Sequence, residues 1–185
     1  MDHQEKLARF EALVLRHLDS AFNLARWFTR NDDDARDLTQ EAALRAFRAF
    51  ESFKGEDGKV WLLVIVRNLF YTSVSRKPPE PAVFDEEIHA PGESSANPEV
   101  LLFRDIETRL VRQAIEQLGT EFREVMVLRE LEGLSYREIA MVTEAPLGTV
   151  MSRLARGREH LRQSLAGYMK SRSGQKGGRN AMSGK

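Results

Sequence analysis

The stretch that most constrains the fold of this chain runs from Leu134 to Arg162 and predicts a helix-turn-helix. Ser135 is a favourable N-cap, and Glu138 three residues later completes a capping box that starts a short helix. Residues 143–145 supply the turn, and Pro146 suits the first position of a second helix, where its missing N–H costs nothing. The helical spacing predicts these inward-facing residues: Ile139, Ala140, Val142, Val150, Leu154 and Leu161.

The outer face of the second predicted helix has the chemistry that duplex DNA requires. Side chains in the first turns of such a helix reach base edges, and Arg is the side chain best suited to bidentate contact with guanine. Residues 145–162 contain four Arg and one Glu, whereas residues 119–144 contain three Arg and six Glu. An ordinary solvated face is the alternative interpretation. The candidate DNA-contacting residues are Thr149, Ser152, Arg153, Arg156 and Arg158.

Composition excludes several other classes of protein. The 185 residues have a formal net charge of zero and include no cysteine, which rules out a disulfide framework and a thiol nucleophile. The four histidines show no ligand spacing, so we expect no metal and no cofactor. No apolar run reaches the ~18 residues of a membrane span, and the N-terminus lacks a signal-peptide pattern. We therefore expect a cytoplasmic protein without membrane insertion.

Helical periodicity through most of the chain predicts an all-α fold of two small domains. Residues 78–98 interrupt the periodicity with prolines, and they hold five acidic residues and no Lys or Arg. Such a segment is typical of a flexible acidic linker. We accordingly place one domain at residues 5–77 and a second, helix-turn-helix domain at 99–168. The basic, Gly- and Ser-rich residues 169–185 are expected to form a disordered tail.

The predicted helix at residues 35–50 has a second usable face besides its small-residue stripe. Residues on that face recur at spacings of three and four and combine charge with an exposed leucine. Both an ordinary solvated face and a docking surface for a protein partner fit this pattern. The residues concerned are Asp37, Gln40, Glu41, Leu44 and Arg48.

The next predicted helix, residues 60–77, contains no Asp or Glu. Aromatic, amide and hydroxyl side chains share one stripe beside basic residues, which suits stacking on unpaired bases and contact with a strand backbone. Part of such an aromatic stripe belongs to the core, and the assignment of Trp61 and Phe70 is left open. A charged loop with two glycines, residues 53–59, precedes this helix.

The order of these parts resembles the extracytoplasmic-function (ECF) sigma factors, the minimal two-domain class of the bacterial sigma-70 family. The residues that carry the resemblance are 34–41 with Ala46 and Phe47, then 61–68, then 132–140 and 146–154. It covers about residues 10–165. A helix-turn-helix alone would be less specific, because many regulators carry one.

The resemblance implies a role for each of these surfaces. The helix at 35–50 would dock on the β′ clamp helices of core RNA polymerase, with further contact to the β subunit. The following loop and helix would recognise and melt the −10 promoter element, and the helix-turn-helix would read the −35 element. An anti-sigma factor would restrain the protein, which would be no enzyme and have no small-molecule substrate. The −10 contacts would come from Lys54, Lys59, Arg67, Asn68, Tyr71, Thr72 and Arg76.

Two other classes of function remain open. A conventional dimeric helix-turn-helix regulator would bind a palindromic operator tightly without polymerase. An enzyme acting on nucleic acid would need clustered carboxylates, such as Asp32, Asp33, Asp34 and Asp37, to hold magnesium. These acids occur where a helix cap is expected, and no glycine-rich phosphate loop accompanies them.

Overall fold

The computed structural model describes residues 3–55, 57–76 and 108–177, and these ranges contain helices and no strand. The all-α prediction is therefore confirmed. Two short 3₁₀ turns lie at Leu15–His17 and Phe50–Ser52, and a π-helical turn lies at Val127–Leu131. The helices are α1 His3–Leu13, α2 Leu18–Thr29, α3 Asp32–Ala49, α4 Gly58–Arg76, α5 108–116, α6 Thr120–Met126, α7 Tyr136–Thr143 and α8 Leu147–Gly177. The predicted linker, residues 78–98, lies outside the described ranges.

Helices α2, α3 and α4 pack together as the centre of the first domain. Small residues allow α3 to approach its neighbours closely, because Ala35, Ala42 and Ala46 are fully buried. Phe28 of α2 stacks on Phe70 of α4 with ring centroids 4.6 Å apart. The sequence left open whether Trp61 and Phe70 belong to the core. Both are partly buried and packed against it, so each is a core residue that keeps some accessible surface.

The start of α3 is fixed by its N-cap, Asn31, and by the three acidic residues of its first turn. The Asn31 side chain accepts hydrogen bonds from the backbone N–H groups of Asp33 and Asp34, at 2.8 and 3.0 Å. This is the capping role expected of asparagine, and the acids of the first turn place negative charge at the positive end of the helix dipole. The acidic run thus has a structural explanation within the fold.

The stretch of residues 5–30, in which apolar residues recur at helical spacing, forms two helices, α1 and α2, rather than one. It is divided at Val14, whose backbone leaves the α-helical region (φ −122°, ψ −53°) and whose side chain is fully buried. The apolar spacing continues across this division, and the buried Val14 side chain packs beside Gly58 at the start of α4. Gly58 lies there so close to α1 that an added Cβ would be 1.9 Å from the Leu13 carbonyl oxygen.

The second domain contains the predicted helix-turn-helix. The backbone turns at Glu144, which adopts a left-handed conformation (φ 51°), and α8 follows after Pro146. Of the six predicted inward-facing residues, Ala140 and Leu161 are only partly buried and the rest are buried. Gly157 allows α8 to cross close to α6, since a Cβ there would lie 2.9 Å from the Met126 Cγ.

Helix α8 is longer than the sequence predicts. A disordered tail is expected from residue 169, whereas α8 runs to Gly177. The physical reason is that residues 169–177 contain no proline, and each glycine costs a helix only about 1 kcal/mol. Residues 178–185 lie outside the described ranges.

The contact at Gly58 makes a prediction about stability. Gly58→Ala should lower the free energy of unfolding by about 1–3 kcal/mol, because the added methyl group meets backbone rather than a movable side chain. Chemical denaturation of the purified protein would measure this. Gly167→Ala is the matched control, since its Cβ would meet nothing within 4 Å; equal effects of the two substitutions would contradict the steric explanation.

Candidate nucleic-acid and partner interfaces

The outer face of α3 is open to solvent in the described structure. Asp37, Gln40, Leu44 and Arg48 are exposed and Glu41 is partly exposed, on the side of the helix opposite its buried alanines. Leu44 is 51% exposed, which is unusual for a leucine in the middle of a helix. All five residues of the predicted docking surface are thus brought onto one accessible face.

The predicted −10 surface on α4 is only partly open. Asn68 and Thr72 are exposed and, with Tyr71 and Ser75, line a shallow open pocket. Lys54 in the preceding loop is also exposed. Arg76 lies in the last turn of α4, and its side chain is outside the described part of the structure. The remaining members, Lys59, Arg67 and Tyr71, are half-buried because the second domain covers them.

A buried ion pair joins the two domains at this surface. The Arg67 Nε lies 2.6 Å from Oε1 of Glu124, whose side chain is 1% exposed. The Tyr71 hydroxyl donates to the other carboxylate oxygen at 3.4 Å, and the Arg67 guanidinium lies over the Tyr71 ring. Burial raises the pKa of Glu124, and Arg67 opposes that shift by stabilising the carboxylate.

Further polar contacts cross the same boundary. The Lys59 ammonium is 3.2 Å from the Glu132 carboxylate and donates to the Glu132 backbone carbonyl at 2.8 Å. Asn23 of α2 donates to the same carboxylate at 3.3 Å, and Asn68 donates to Glu144 at 3.5 Å. We call this the closed arrangement: α4 packs against α7, and α2 packs against α6.

Arginines close the other end of the boundary by capping backbone carbonyls. Arg30 of the first domain donates to the Glu116 carbonyl at 2.9 Å. In return, Arg123 donates to the Trp27 carbonyl at 3.3 Å and to the Leu118 carbonyl at 2.7 Å. Burial, together with the charge of nearby Arg30, lowers the pKa of Arg123 to about 10. The residue remains charged near neutral pH.

The exposed face of α8 differs slightly from the predicted one. Ser152 and Arg156 are exposed, whereas Thr149 and Arg153 are half-buried. Arg153 pairs with Glu121 at 3.2 Å, and the exposed Arg158 pairs with Glu130 at 2.7 Å. The exposed stripe comprises Gly148, Met151, Ser152, Ala155 and Arg156.

Met151 was not among the predicted contacts, although it is 51% exposed on that stripe. Its spacing of three from Gly148 and four from Ala155 could have identified it. Charge and hydrogen-bonding capacity directed the prediction to its polar neighbours instead. Apolar side chains on a recognition helix can contact the methyl group of thymine.

The described ranges also bear on metal binding and on membrane insertion. No group of three or more His, Cys, Asp or Glu side chains there could hold a metal ion. Among the same residues, no helix is both long and apolar enough to cross a membrane. The acids at residues 32–34 and 37 therefore form no metal centre in the described structure.

Comparison with known proteins defines the class of both domains. Residues 13–78 match the family Sigma-70 region 2, and residues 108–161 match Sigma-70, region 4. The chain is thus built from two regions of the sigma-70 family. The RNA polymerase sigma-H factor of Pseudomonas aeruginosa is 36% identical, over 84% of this chain and 86% of that protein. The ECF RNA polymerase sigma-E factor of Escherichia coli K12 is 35% identical, over 81% and 83%.

A third relative is longer. ECF RNA polymerase sigma factor SigE of Mycolicibacterium smegmatis is 36% identical over 88% of this chain, which spans 64% of that protein's length. Identity at this level across most of the chain means that the protein belongs to the ECF sigma factor family.

Solved structures show the same fold. The sigma factor RpoE of Bartonella quintana, in complex with the anti-sigma factor NepR, superposes with a TM-score of 0.71 at 25% identity, covering 85% of this chain and 97% of that one. CnrH, in complex with the cytosolic domain of CnrY, superposes with a TM-score of 0.61 at 24% identity, covering 85% and 88%.

The capping box predicts a pH-dependent contribution to stability. The Ser135 hydroxyl accepts from the Glu138 N–H, and the Glu138 carboxylate accepts from the Ser135 N–H at 2.6 Å. These hydrogen bonds lower the pKa of Glu138. The carboxylate therefore stabilises the fold above its unfolded pKa of about 4.3, and that stabilisation is lost as the pH falls through the lower folded value.

Ser135→Ala should accordingly cost about 1 kcal/mol of unfolding free energy at neutral pH. Glu138→Gln should also lower the free energy of unfolding at neutral pH. The difference in unfolding free energy between this variant and the unsubstituted chain should shrink in acid. Denaturation curves at several pH values would measure both effects. A Glu138→Gln deficit that stayed constant down to acid pH would contradict a contribution from the charged carboxylate.

Proposed function

We propose that this ECF sigma factor binds core RNA polymerase and directs promoter-specific initiation by reading the −35 element and melting the −10 element. The observation that carries the proposal is the presence of a sigma region 2 and a sigma region 4 in one chain, each with an exposed helix face of suitable chemistry. The site of action is the cytoplasm, and the protein contributes specificity rather than catalysis.

Docking on polymerase is assigned to the open face of α3. Its carboxylates and Arg48 offer charge complementarity, and Leu44 offers an apolar centre that loses water on binding. The β′ clamp helices are the proposed partner, with additional contacts to the β subunit. Because the buried alanines hold the opposite face of α3 in the core, this surface is presented on a rigid helix.

Promoter melting is assigned to the α4 surface. Flipping a base costs a few kcal/mol, and stacking and pocket contacts offset that cost. The pocket of Asn68, Tyr71, Thr72 and Ser75 offers a ring and several hydrogen-bonding groups to an extruded base. Lys54, Lys59, Arg67 and Arg76 supply the positive charge that attracts the strand backbone.

Recognition of the −35 duplex is assigned to α8. Ser152 and Arg156 are exposed and Thr149 is half-exposed, while Arg153 and Arg158 would have to leave Glu121 and Glu130 to contact DNA. Met151 adds an apolar contact that suits a thymine methyl group. A base contact by Arg153 would be worth about 1–3 kcal/mol, and loss of that contact would relax specificity at one position.

Restraint by an anti-sigma factor is part of the proposal. The Bartonella quintana relative of similar fold is bound to an anti-sigma factor, and the open face of α3 offers such a partner a way to exclude polymerase. We propose a protein partner of this kind, acting through competition for the polymerase-binding surface.

Run-off transcription tests the function directly. Purified core polymerase and a pool of genomic promoters would be assayed with and without this protein. Discrete start sites that depend on the protein are expected, and the DNA upstream of them would define both promoter elements. If no start sites appeared and the free protein bound a palindromic duplex tightly, the conventional dimeric regulator would be the better assignment.

Charge reversal on α3 tests the docking surface. Glu41→Lys should abolish binding to core polymerase and leave the helical content unchanged, because Glu41 is partly exposed and pairs only locally with Arg45 among the described residues. The measurement is affinity for core polymerase by fluorescence anisotropy. Glu11→Lys makes the same charge change at an exposed position of α1 and should bind normally; undiminished binding by Glu41→Lys would refute the docking assignment.

The exposed Met151 predicts a thymine in the −35 element. Replacing that thymine with uracil removes only the methyl group, and holoenzyme affinity should fall about fourfold, corresponding to about 0.8 kcal/mol. Met151→Ala should abolish this sensitivity to uracil. Arg156→Ala is the control: it should weaken binding to every sequence but retain the uracil effect. Equal uracil sensitivity in Met151→Ala and the unsubstituted protein would exclude the contact.

A further inference from the structure

The three methionines whose side chains the structure describes differ in exposure. Met126 is 4% exposed and lies under Gly157, where an added Cβ would be 3.3 Å from the Met126 sulfur. Met141 of α7 and Met151 of α8 are instead 55% and 51% exposed. Methionine is among the residues most often buried, so two exposed thioethers in one helix-turn-helix have a cause outside the core.

The composition of the chain makes these thioethers its accessible sulfur. The chain contains no cysteine, so no thiol of its own competes for an oxidant. Methionine is then the only side chain with sulfur, and its thioether is converted reversibly to the sulfoxide. The buried sulfur of Met126 is shielded from a dissolved oxidant, whereas the sulfur atoms of Met141 and Met151 are on exposed side chains.

We propose that Met151 is a site of reversible oxidation, and that its sulfoxide changes what α8 reads in the −35 element. The proposal rests on the proposed function, because it requires that α8 contact base edges. Met151 lies outside the core, so its oxidation alters promoter choice and leaves the fold intact.

The reaction is the transfer of one oxygen atom from a peroxide. A lone pair on the Met151 sulfur attacks one oxygen of hydrogen peroxide, and the S–O bond forms as the O–O bond breaks. The departing hydroxide takes the proton of the transferred oxygen and leaves as water. The thioether loses two electrons and the peroxide gains two. A methionine sulfoxide reductase reverses the change with two thiols, which become a disulfide while the oxygen leaves as water.

Met151 has small neighbours along the exposed stripe of α8. Gly148, three residues earlier, has no side chain, and Ala155, four residues later, has only a methyl group; both are exposed. A Cβ built at Gly148 would meet nothing within 4 Å. Of these three residues only Met151 extends far from the helix axis, and neither small neighbour can screen its sulfur from an oxidant.

Oxidation reverses the chemical preference of this position. The thioether is apolar and suits the C5 methyl group of thymine. The sulfoxide is polar, and its oxygen accepts hydrogen bonds, which suits the exocyclic amino groups of adenine and cytosine in the major groove. The oxidised protein should therefore lose its preference for thymine over uracil, because the methyl group no longer meets an apolar partner.

Peptide mass spectrometry tests whether Met151 is the site. The purified full chain is treated with hydrogen peroxide and then freed of peroxide by gel filtration, before any polymerase is added. We expect sulfoxide to form at Met141 and Met151 about tenfold or more faster than at Met126. Oxidation of Met151 that is no faster than that of Met126 would overturn the proposal.

Holoenzyme binding to a pair of −35 duplexes tests the consequence. The duplexes carry thymine or uracil at the position that Met151 contacts. The reduced protein should prefer thymine about fourfold, and the oxidised protein should bind both duplexes equally. Treatment with methionine sulfoxide reductases A and B and dithiothreitol should restore the preference. A preference that persisted with Met151 fully converted to the sulfoxide would overturn the proposal, as would a loss that the reductases did not reverse.

Two matched variants assign the effect to one sulfur. Met151→Leu has no sulfur on the stripe, so its ratio of affinities for the two duplexes should be the same before and after peroxide. Met141→Leu removes the other exposed sulfur and should respond to peroxide as the unsubstituted chain does. A peroxide-dependent ratio in Met151→Leu, or a peroxide-independent one in Met141→Leu, would contradict the assignment to Met151.

A failure of the proposed function gives a different result. The reduced protein would then yield no protein-dependent start sites with core polymerase, whether or not it had been treated with peroxide. A reduced protein that directed initiation but bound the thymine and uracil duplexes equally would leave the sigma function intact. That outcome would overturn the role of Met151 oxidation, because Met151 would not read the methyl group.

Discussion

The ion pair between Arg67 and Glu124 is the interaction on which the relation of the two domains depends. A carboxylate that is 1% exposed has lost nearly all its water, and the loss is tolerable only because a guanidinium and a hydroxyl replace it. Removing one partner of such a pair typically costs about 3–5 kcal/mol, whereas opening the domains returns water to both. The contact therefore stabilises closure without making it permanent.

The two faces of helix α4 have different surroundings. Leu62, Leu63 and Val66 are fully buried in the first domain, and the other face carries the candidate −10 groups. Because the core holds one face rigidly, the other is presented in a defined geometry to whichever anion approaches. In the closed arrangement the anion at this face is the Glu124 carboxylate of the second domain. In contrast, α3 offers its outer face to solvent even in the closed arrangement.

Much of the candidate site could be predicted from local pattern. Residues three and four apart share a helix face, which brought Asp37, Gln40 and Leu44 together correctly. The capping box identified the start of α7 for the same reason, since all its atoms lie within four residues. Local pattern gave no information about distant ion pairs: Arg153 is a candidate DNA contact, and in the structure Glu121, which is 32 residues away, pairs with it.

The sequence by itself determined the all-α class, the helix-turn-helix and the family, because periodicity, caps and motifs are local properties. Only the tertiary structure decided where residues 5–30 divide into two helices. It also decided which Lys and Arg side chains of the first domain are covered by the second. Arg67 and Glu124 are 57 residues apart and lie on opposite sides of the acidic segment at residues 78–98. No local pattern specifies such a pairing; it depends on how two separately folded faces fit, and therefore on packing and desolvation across the whole boundary.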